Sequence, residues 1–322
     1  MAHSIKYNFN NMITIGQKRI STIVLSTALG PDGRGIFPYT LWPAYRRLLR
    51  AVRETFTTVI SKSATRFSRR GNFVPANPLT WQYIRRLPQG GMLNAYGLTN
   101  DGVLAVAPGI ETACRAGFQV IPNLWPEFNQ GLEKASQETL EAITLYRRHL
   151  GEAFWALELN LSCPNVPEEM ACSLADALAC VRLVKKTYPE LFLIAKISIR
   201  HPYEFAQELE KAGAGALHAI NTIPYELVFP AGRFPASPLA GVGGGGVSGG
   251  PAFALAYQYN QGLRPLVRLP LIMGCGVTCA DDVQRYLDIG ADAVSICTLA
   301  LRKPEEACNL VRHQALWFDG TF

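Results

Sequence analysis

The sequence lacks long hydrophobic runs, which excludes the usual membrane-spanning architectures. No run of about 18 apolar residues occurs, so we expect no transmembrane helix. The first residues, MAHSIKYNFNNM, contain neither the apolar segment of a signal peptide nor an amphipathic anchor. We therefore expect a soluble, cytoplasmic protein that is not attached to a membrane.

Patterned cysteines are also missing, although the chain has 8 of them. No C-x-x-C pair is present, no histidine lies at zinc-ligand spacing from a cysteine pair, and no cysteine run fits an iron–sulfur cluster. We expect free thiols and no metal site. The glycine fingerprint of dinucleotide-binding folds is absent as well, so any chemistry with NAD would need a second protein.

Charged residues are scarce, and apolar ones are plentiful. They make up 17% and 48% of the 322 residues, which allows a large core and excludes intrinsic disorder. The net charge is +6, and the arginines lie in small groups at 46–53, 66–70 and 85–86. Such groups favour either RNA or acidic ligands, or they form an ordinary solvated surface.

Short apolar strand patterns alternate with helical patterns along the chain. The strand patterns lie at 22–25, 57–60, 119–124, 156–160, 191–196, 216–220, 269–273 and 293–296. Eight such units predict an α/β protein with one (β/α)8 TIM-barrel domain over residues 1–322. A doubly wound sheet is the alternative, but it would have fewer strands and a glycine fingerprint. Two insertions, at about 66–102 and 222–251, are expected to lie over the C-terminal face as lids or binding loops.

Polar residues follow the predicted strands. They are Lys62, Asn160, Lys196, Asn221, the Gly274–Gly276 turn and the Cys297-Thr298 pair. Since the C-terminal ends of parallel strands meet on one face of a barrel, these positions predict an active site there. Lys196 ends an apolar strand, and because a buried unpaired ammonium is costly, it needs an anionic or electron-rich partner.

Two further segments could bind a ligand. Asn160-Leu-Ser-Cys-Pro-Asn165 holds carboxamides, which suit a ligand with alternating N–H and C=O groups. Its thiol, Cys163, could accept a proton as a thiolate or could be an inert buried cysteine. The glycine-rich turn at 243–250 could hold a phosphate through its amides or be a plain loop.

Taken together, these motifs resemble the dihydroorotate dehydrogenase family, most closely its soluble class 1 branch. The resemblance covers roughly residues 22–303, and the Asn-Leu-Ser-Cys-Pro-Asn hexapeptide is its most specific part. The other matching segments are Val59–Thr65, Gly71-Asn72, Asn94–Asn100, Ile220–Thr222, Gly245–Gly249 and Gly290–Thr298.

The resemblance implies an FMN-containing barrel that oxidises dihydroorotate to orotate in pyrimidine biosynthesis. It implies that Cys163 is the catalytic base that removes the C5 proton while the C6 hydride passes to flavin N5, with Lys62 beside the flavin. The implied substrate contacts are Asn94, Asn160, Asn165, Asn221 and Thr222. The implied cofactor contacts are Ser26, Thr27, Ala28, Lys62, Ser63, Lys196, Gly246, Gly249, Gly276, Cys297 and Thr298.

The sequence departs from the family pattern in the loops. Val277 and Cys297 replace glycines of the phosphate turns, so the Cys297 side chain must point away from the phosphate or the turn must widen. The base loop after Asn165 has no glycine and carries Glu168, Glu169 and a second thiol, Cys172.

The partners follow from the same resemblance. Relatives use fumarate, a quinone, or NAD through an iron–sulfur subunit, and the motifs lean toward the NAD-linked branch, so a separate electron-transfer subunit is possible. A homodimer is expected by analogy. Two other hypotheses are an FMN barrel acting on tRNA uridine, as in tRNA dihydrouridine synthases, and a non-catalytic barrel that binds a partner.

Overall fold

The computed structural model describes residues 13–15, 18–162 and 174–316. Its strands are β1 (Ile13–Ile15), β2 (Lys18–Ile20), β3 (Ile23–Ser26), β4 (Thr58–Ile60), β5 (Ile84–Arg86), β6 (Met92–Asn94), β7 (Gln119–Ile121), β8 (Asn123–Leu124), β9 (Ala156–Asn160), β10 (Phe192–Ile197), β11 (Ala216–Ala219), β12 (Ile223–Pro224), β13 (Gly246–Ser248), β14 (Leu271–Gly274) and β15 (Ala293–Ile296).

The helices lie mostly between these strands. They are α1 (Pro43–Glu54), α2 (Val103–Arg115), α3 (Leu132–Leu150), α4 (Leu174–Thr187), α5 (Tyr203–Lys211), α6 (Tyr225–Val228), α7 (Gly250–Leu263), α8 (Ala280–Asp288), α9 (Thr298–Arg302) and α10 (Pro304–Leu316). Helix α2 is hard to see in the sequence because Pro108 lies inside it. No described helix is long and apolar enough to cross a membrane.

The main sheet is parallel and forms a barrel. Its order is β7-β4-β3-β15-β14-β11-β10-β9-β8, so the two edge strands are β7 and β8. These strands are the two halves of one chain segment, separated only by Pro122, which has no N–H to donate to a ladder. Counted as one strand, they give the eight strands of the barrel (9 − 1 = 8). The predicted (β/α)8 architecture is confirmed.

The strands are buried on both faces, as their apolar sequences predict. All residues of β3, β4, β9, β11, β14 and β15 are buried. The β1–β2 hairpin covers one end of the barrel, where Ile13 and Ile20 cluster with Ala156, Ala216 and Ala293. Those three alanines are the first residues of their strands, so the hairpin closes the N-terminal end and leaves the C-terminal end for a site.

The two insertions are joined by a sheet that the sequence does not reveal. Strands β5 and β6 from the first insertion pair with β13 and β12 from the second, in the antiparallel order β12-β13-β6-β5. Asn94 pairs with Gly246 across this sheet. The two insertions that we predicted as separate loops are therefore joined in one four-stranded antiparallel sheet.

Candidate active site

A cavity of about 1030 Å³ opens at the C-terminal ends of the barrel strands. This volume is ample for a large organic ligand. Most of the predicted site residues line it, namely Ser26, Thr27, Lys62, Ser63, Asn94, Asn160, Lys196, Asn221, Thr222, Gly276, Cys297 and Thr298. Aromatic residues at its mouth, Phe37, Trp42 and Trp81, are exposed.

Three predicted cofactor residues do not line this cavity. Ala28 is fully buried, and its carbonyl oxygen accepts a hydrogen bond from the Tyr45 hydroxyl at 2.6 Å. Gly246 is buried in strand β13, where its carbonyl oxygen accepts from Asn94 Nδ2 at 3.2 Å. Gly249 has φ +75 and packs against the backbone of Gly90.

The predicted base and one predicted carboxamide, Cys163 and Asn165, lie outside the described residues, as do Glu168, Glu169 and Cys172. Two thiols that line the cavity, Cys275 and Cys297, are described. Burial raises the pKa of Cys275 to about 12 and also raises the pKa of Cys297, so both remain protonated at neutral pH. Neither of them is a suitable base.

The carboxamides are held in fixed orientations by neighbouring groups. Asn160 Nδ2 donates to Ser63 Oγ at 2.9 Å, and its Oδ1 accepts from the Ser162 amide at 3.1 Å. Asn221 Nδ2 donates to the Ser162 carbonyl oxygen at 2.5 Å. Because an amide NH₂ has two hydrogens, each of these groups keeps a donor for a ligand after making one such bond. Asn221 also fixes the chain directly before Cys163.

Lys62 also lines the cavity, and its side chain lies over an aromatic ring. Its Nζ is 3.5 Å from the ring centroid of Tyr96, and Tyr96 packs against Phe73 with centroids 4.7 Å apart. Burial, together with the negative charge of Asp101, raises the pKa of Tyr96 to about 12, so the ring stays neutral. This cation–π contact orients the Lys62 ammonium in the cavity.

Lys196 has the anionic partner that its buried position predicts, but the partner is a side chain of the barrel itself. Lys196 Nζ lies 3.8 Å from Glu158 Oε1 and donates to Ser26 Oγ at 3.4 Å. Glu158 also contacts His218, whose Nε2 lies 2.8 Å from Ser295 Oγ. His218 and Ser295 line the cavity, and we did not predict either from the sequence.

One end of the cavity carries hydroxyls and a guanidinium. Thr298 Oγ1 donates to Ser248 Oγ at 2.9 Å, and Arg302 Nη1 donates to the Gly91 carbonyl oxygen at 3.1 Å. Arg302 was not predicted as a site residue. It forms no ion pair with any carboxylate in the described ranges, so its charge is available to an anion.

The glycine at this end is required by the protein's own packing. Gly276 has φ +92, and a Cβ there would lie 2.4 Å from Phe253 Cα in helix α7. Cys297 Sγ lies 3.5 Å from Thr27 Oγ1, so it is directed toward the end of the neighbouring strand β3. A hydroxyl pair, Arg302 and two lysines form a donor set that fits a phosphorylated, electron-accepting ring such as FMN.

The part of the chain that the structure describes contains no cluster of three or more His, Cys, Asp and Glu side chains that could hold a metal ion.

Comparison with known proteins identifies the family. A family model described as dihydroorotate dehydrogenase matches residues 46–314. The catalytic subunit of dihydroorotate dehydrogenase B (NAD(+)) from Oceanobacillus iheyensis is 30% identical over 258 residues, which cover 79% of this chain and 78% of that protein. The subunits of the same name from Pelobacter propionicus and a Geobacillus species are 30% and 29% identical, covering 71% and 81% of this chain and 73% and 79% of their own lengths. The chain therefore belongs to the dihydroorotate dehydrogenase family, whose members are oxidoreductases that act on a CH–CH group.

Proposed function

We propose that this protein binds FMN in the barrel cavity and oxidises dihydroorotate to orotate, with Cys163 as the base. The observation that carries the proposal is the meeting of Asn94, Asn160 and Asn221 with two lysines in one cavity, in a chain of this family. Three carboxamides match a ring that alternates N–H and C=O groups. The lysines match the negative charge of the substrate carboxylate and of a reduced flavin.

The reaction removes one hydride and one proton and leaves a C5=C6 double bond. When bound, FMN would supply the two-electron acceptor for the hydride from C6. The Cys163 thiolate would accept the proton from C5. Asn160 and Asn221 would hold the ring so that this carbon faces the thiolate, because both flank the Ser162 backbone that leads into Cys163.

Arg302, Ser248 and Thr298 would hold the phosphate. Arginine pairs with phosphate through several N–H donors, and the two hydroxyls can donate as well. The exposed aromatic residues that line the cavity, Phe37, Trp42 and Trp81, would form the surface that an electron acceptor approaches.

A separate electron-transfer subunit is part of the proposal. The relatives are named as catalytic subunits of an NAD(+)-linked enzyme, and this chain has no dinucleotide-binding glycine fingerprint. A homodimer remains our prediction for the assembly of the catalytic chain itself. The family match favours a free pyrimidine over a tRNA substrate.

A product assay with a matched variant tests the proposal. Protein loaded with FMN and supplied with an artificial electron acceptor should convert dihydroorotate to orotate, whereas dihydrouracil, which lacks the carboxylate, should react far more slowly. Cys163→Ser should retain FMN and lose most of the turnover, because a serine hydroxyl is a much weaker acid than a thiol. Unchanged turnover in this variant would contradict the assignment of the base, and Cys172 and Glu168 would then be tested next.

A further inference from the structure

Glu158 is a fully buried carboxylate behind the wall of the cavity. It has no exposed surface, and it is not among the residues that line the cavity. Its Oε1 accepts from Asn123 Nδ2 at 2.5 Å, and its Oε2 lies 2.5 Å from His218 Nδ1. A carboxylate is rarely buried completely unless it is paired, and here the hydrogen bonds from Asn123 and His218 offset the cost of burying the charge.

The charges of the group follow from its partners. Burial alone would raise the pKa of Glu158, but the Lys196 ammonium and the hydrogen bonds from His218 and Asn123 hold it below its ordinary value. Burial lowers the pKa of His218. Since a carboxylate only accepts, Nδ1 of a neutral His218 carries the proton and Nε2 accepts from the Ser295 hydroxyl.

Lys196 joins this group to the cavity. Its ammonium is 3.8 Å from Glu158 Oε1 and 3.4 Å from Ser26 Oγ, and both Lys196 and Ser26 line the cavity. The negative charge of Glu158 therefore lies behind the positive charge that the cavity presents. In a buried site, where screening by water is weak, the two charges largely offset each other at any ligand placed on the cavity side.

We propose that Glu158 is a positioning residue that orients Lys196 and weakens the positive field of its ammonium at the cofactor, and thereby keeps the reduction potential of the bound FMN low. The inference rests on the proposed function, because it needs FMN in this cavity. A cation beside the flavin stabilises the negative charge of the reduced ring, and the carboxylate behind it opposes that stabilisation.

The midpoint potential of the bound flavin, measured by anaerobic titration, tests this role. Glu158→Gln keeps the shape of the side chain and removes its charge. We expect the two-electron reduction to become at least tenfold more favourable, which corresponds to an upward shift of about 30 mV. Glu158→Asp keeps the charge, and its potential should be closer to that of the wild type than the potential of Glu158→Gln.

Glu138→Gln is the matched control. Glu138 is also a buried carboxylate next to a lysine, with Lys134 Nζ 3.8 Å from its Oε1, but it lies on helix α3 outside the barrel. The midpoint potential of the flavin bound to Glu138→Gln should equal that of the wild type. An unchanged or lowered potential in Glu158→Gln would overturn the proposal.

A second comparison covers the case in which Glu158→Gln does not fold. The double variant Glu158→Gln/Lys196→Met removes both charges and leaves no unpaired ion. Its potential should be higher than that of Lys196→Met alone, since only the carboxylate differs between the two, and equal potentials would refute the role of Glu158. If the wild-type protein does not bind FMN at all, the proposed function fails, whereas normal FMN binding with equal potentials rejects only this inference.

Discussion

Replacing Gly276 with alanine separates two reasons for a glycine at the end of strand β14. The first reason is packing, because a Cβ would lie 2.4 Å from Phe253 Cα and 2.8 Å from Phe253 N, both in the backbone of helix α7. The second reason is the close approach of a phosphate, which the family resemblance implies. The structure supports the first reason directly, so Gly276→Ala should destabilise the fold even without cofactor.

The expected size follows from two contributions. An alanine at φ +92 costs about 1–2 kcal/mol for its left-handed backbone. Forcing a methyl group into backbone atoms adds about 1–3 kcal/mol, as overpacking does in other cores. The free energy of unfolding should therefore fall by roughly 2–5 kcal/mol.

Gly117 offers the matched control. It has the same φ of +92, but the nearest atom to its added Cβ is Arg53 Cγ at 3.3 Å, on a side chain that can move. Urea unfolding of FMN-free protein should show a small loss for Gly117→Ala and a larger one for Gly276→Ala. Equal losses in the two variants, with FMN affinity reduced only in Gly276→Ala, would refute the packing explanation.

Three further predictions concern the cofactor, the substrate and pH. Arg302→Met should weaken the binding of FMN roughly tenfold while leaving riboflavin binding nearly unchanged, as measured by quenching of flavin fluorescence, because the guanidinium would contact only the phosphate. Asn221→Ala should lower kcat/KM for dihydroorotate by roughly ten- to a hundredfold with FMN retained, since it removes a ligand donor and frees the Ser162 carbonyl. Burial lowers the pKa of His201 to about 4. In the unfolded chain this histidine binds its proton near about pH 6.5, so a fall in pH from 7 to 4 favours the unfolded state. Over this range the free energy of unfolding of the wild type, measured in urea titrations, should fall by up to about 3 kcal/mol more than that of His201→Gln. An equal loss of riboflavin and FMN binding in Arg302→Met would contradict the first prediction. An unchanged kcat/KM in Asn221→Ala would contradict the second. The third would be wrong if the stability of the wild type and of His201→Gln fell in parallel with pH.

The barrel could be predicted because its strands have a strong local signal. Parallel strands buried on both faces are short apolar runs, and the runs at 156–160 and 293–296 coincide with β9 (Ala156–Asn160) and β15 (Ala293–Ile296). The insertion sheet could not be predicted in this way. Its strands have two or three residues each, and the pairing of Asn94 with Gly246 joins segments that are distant in the sequence.

Site residues at or just after the end of a strand could be predicted from the sequence, whereas His218, which lies inside a strand, could not. Lys62, Asn160 and Asn221 could be found because position after a strand places a side chain on the C-terminal face. His218 lies inside the apolar strand β11, and its direction toward the cavity depends on barrel register. A buried lysine requires an anionic partner, but sequence alone does not tell whether the partner is a ligand or, as for Lys196, another side chain.

The most direct test of the central claim is the absorbance of the FMN-loaded protein after anaerobic mixing with dihydroorotate. We predict that the absorption of the oxidised flavin disappears in a single turnover, with one orotate formed per flavin, and that Cys163→Ser slows this step strongly. Stable binding of FMN with no loss of absorbance at saturating dihydroorotate would contradict the proposed reaction.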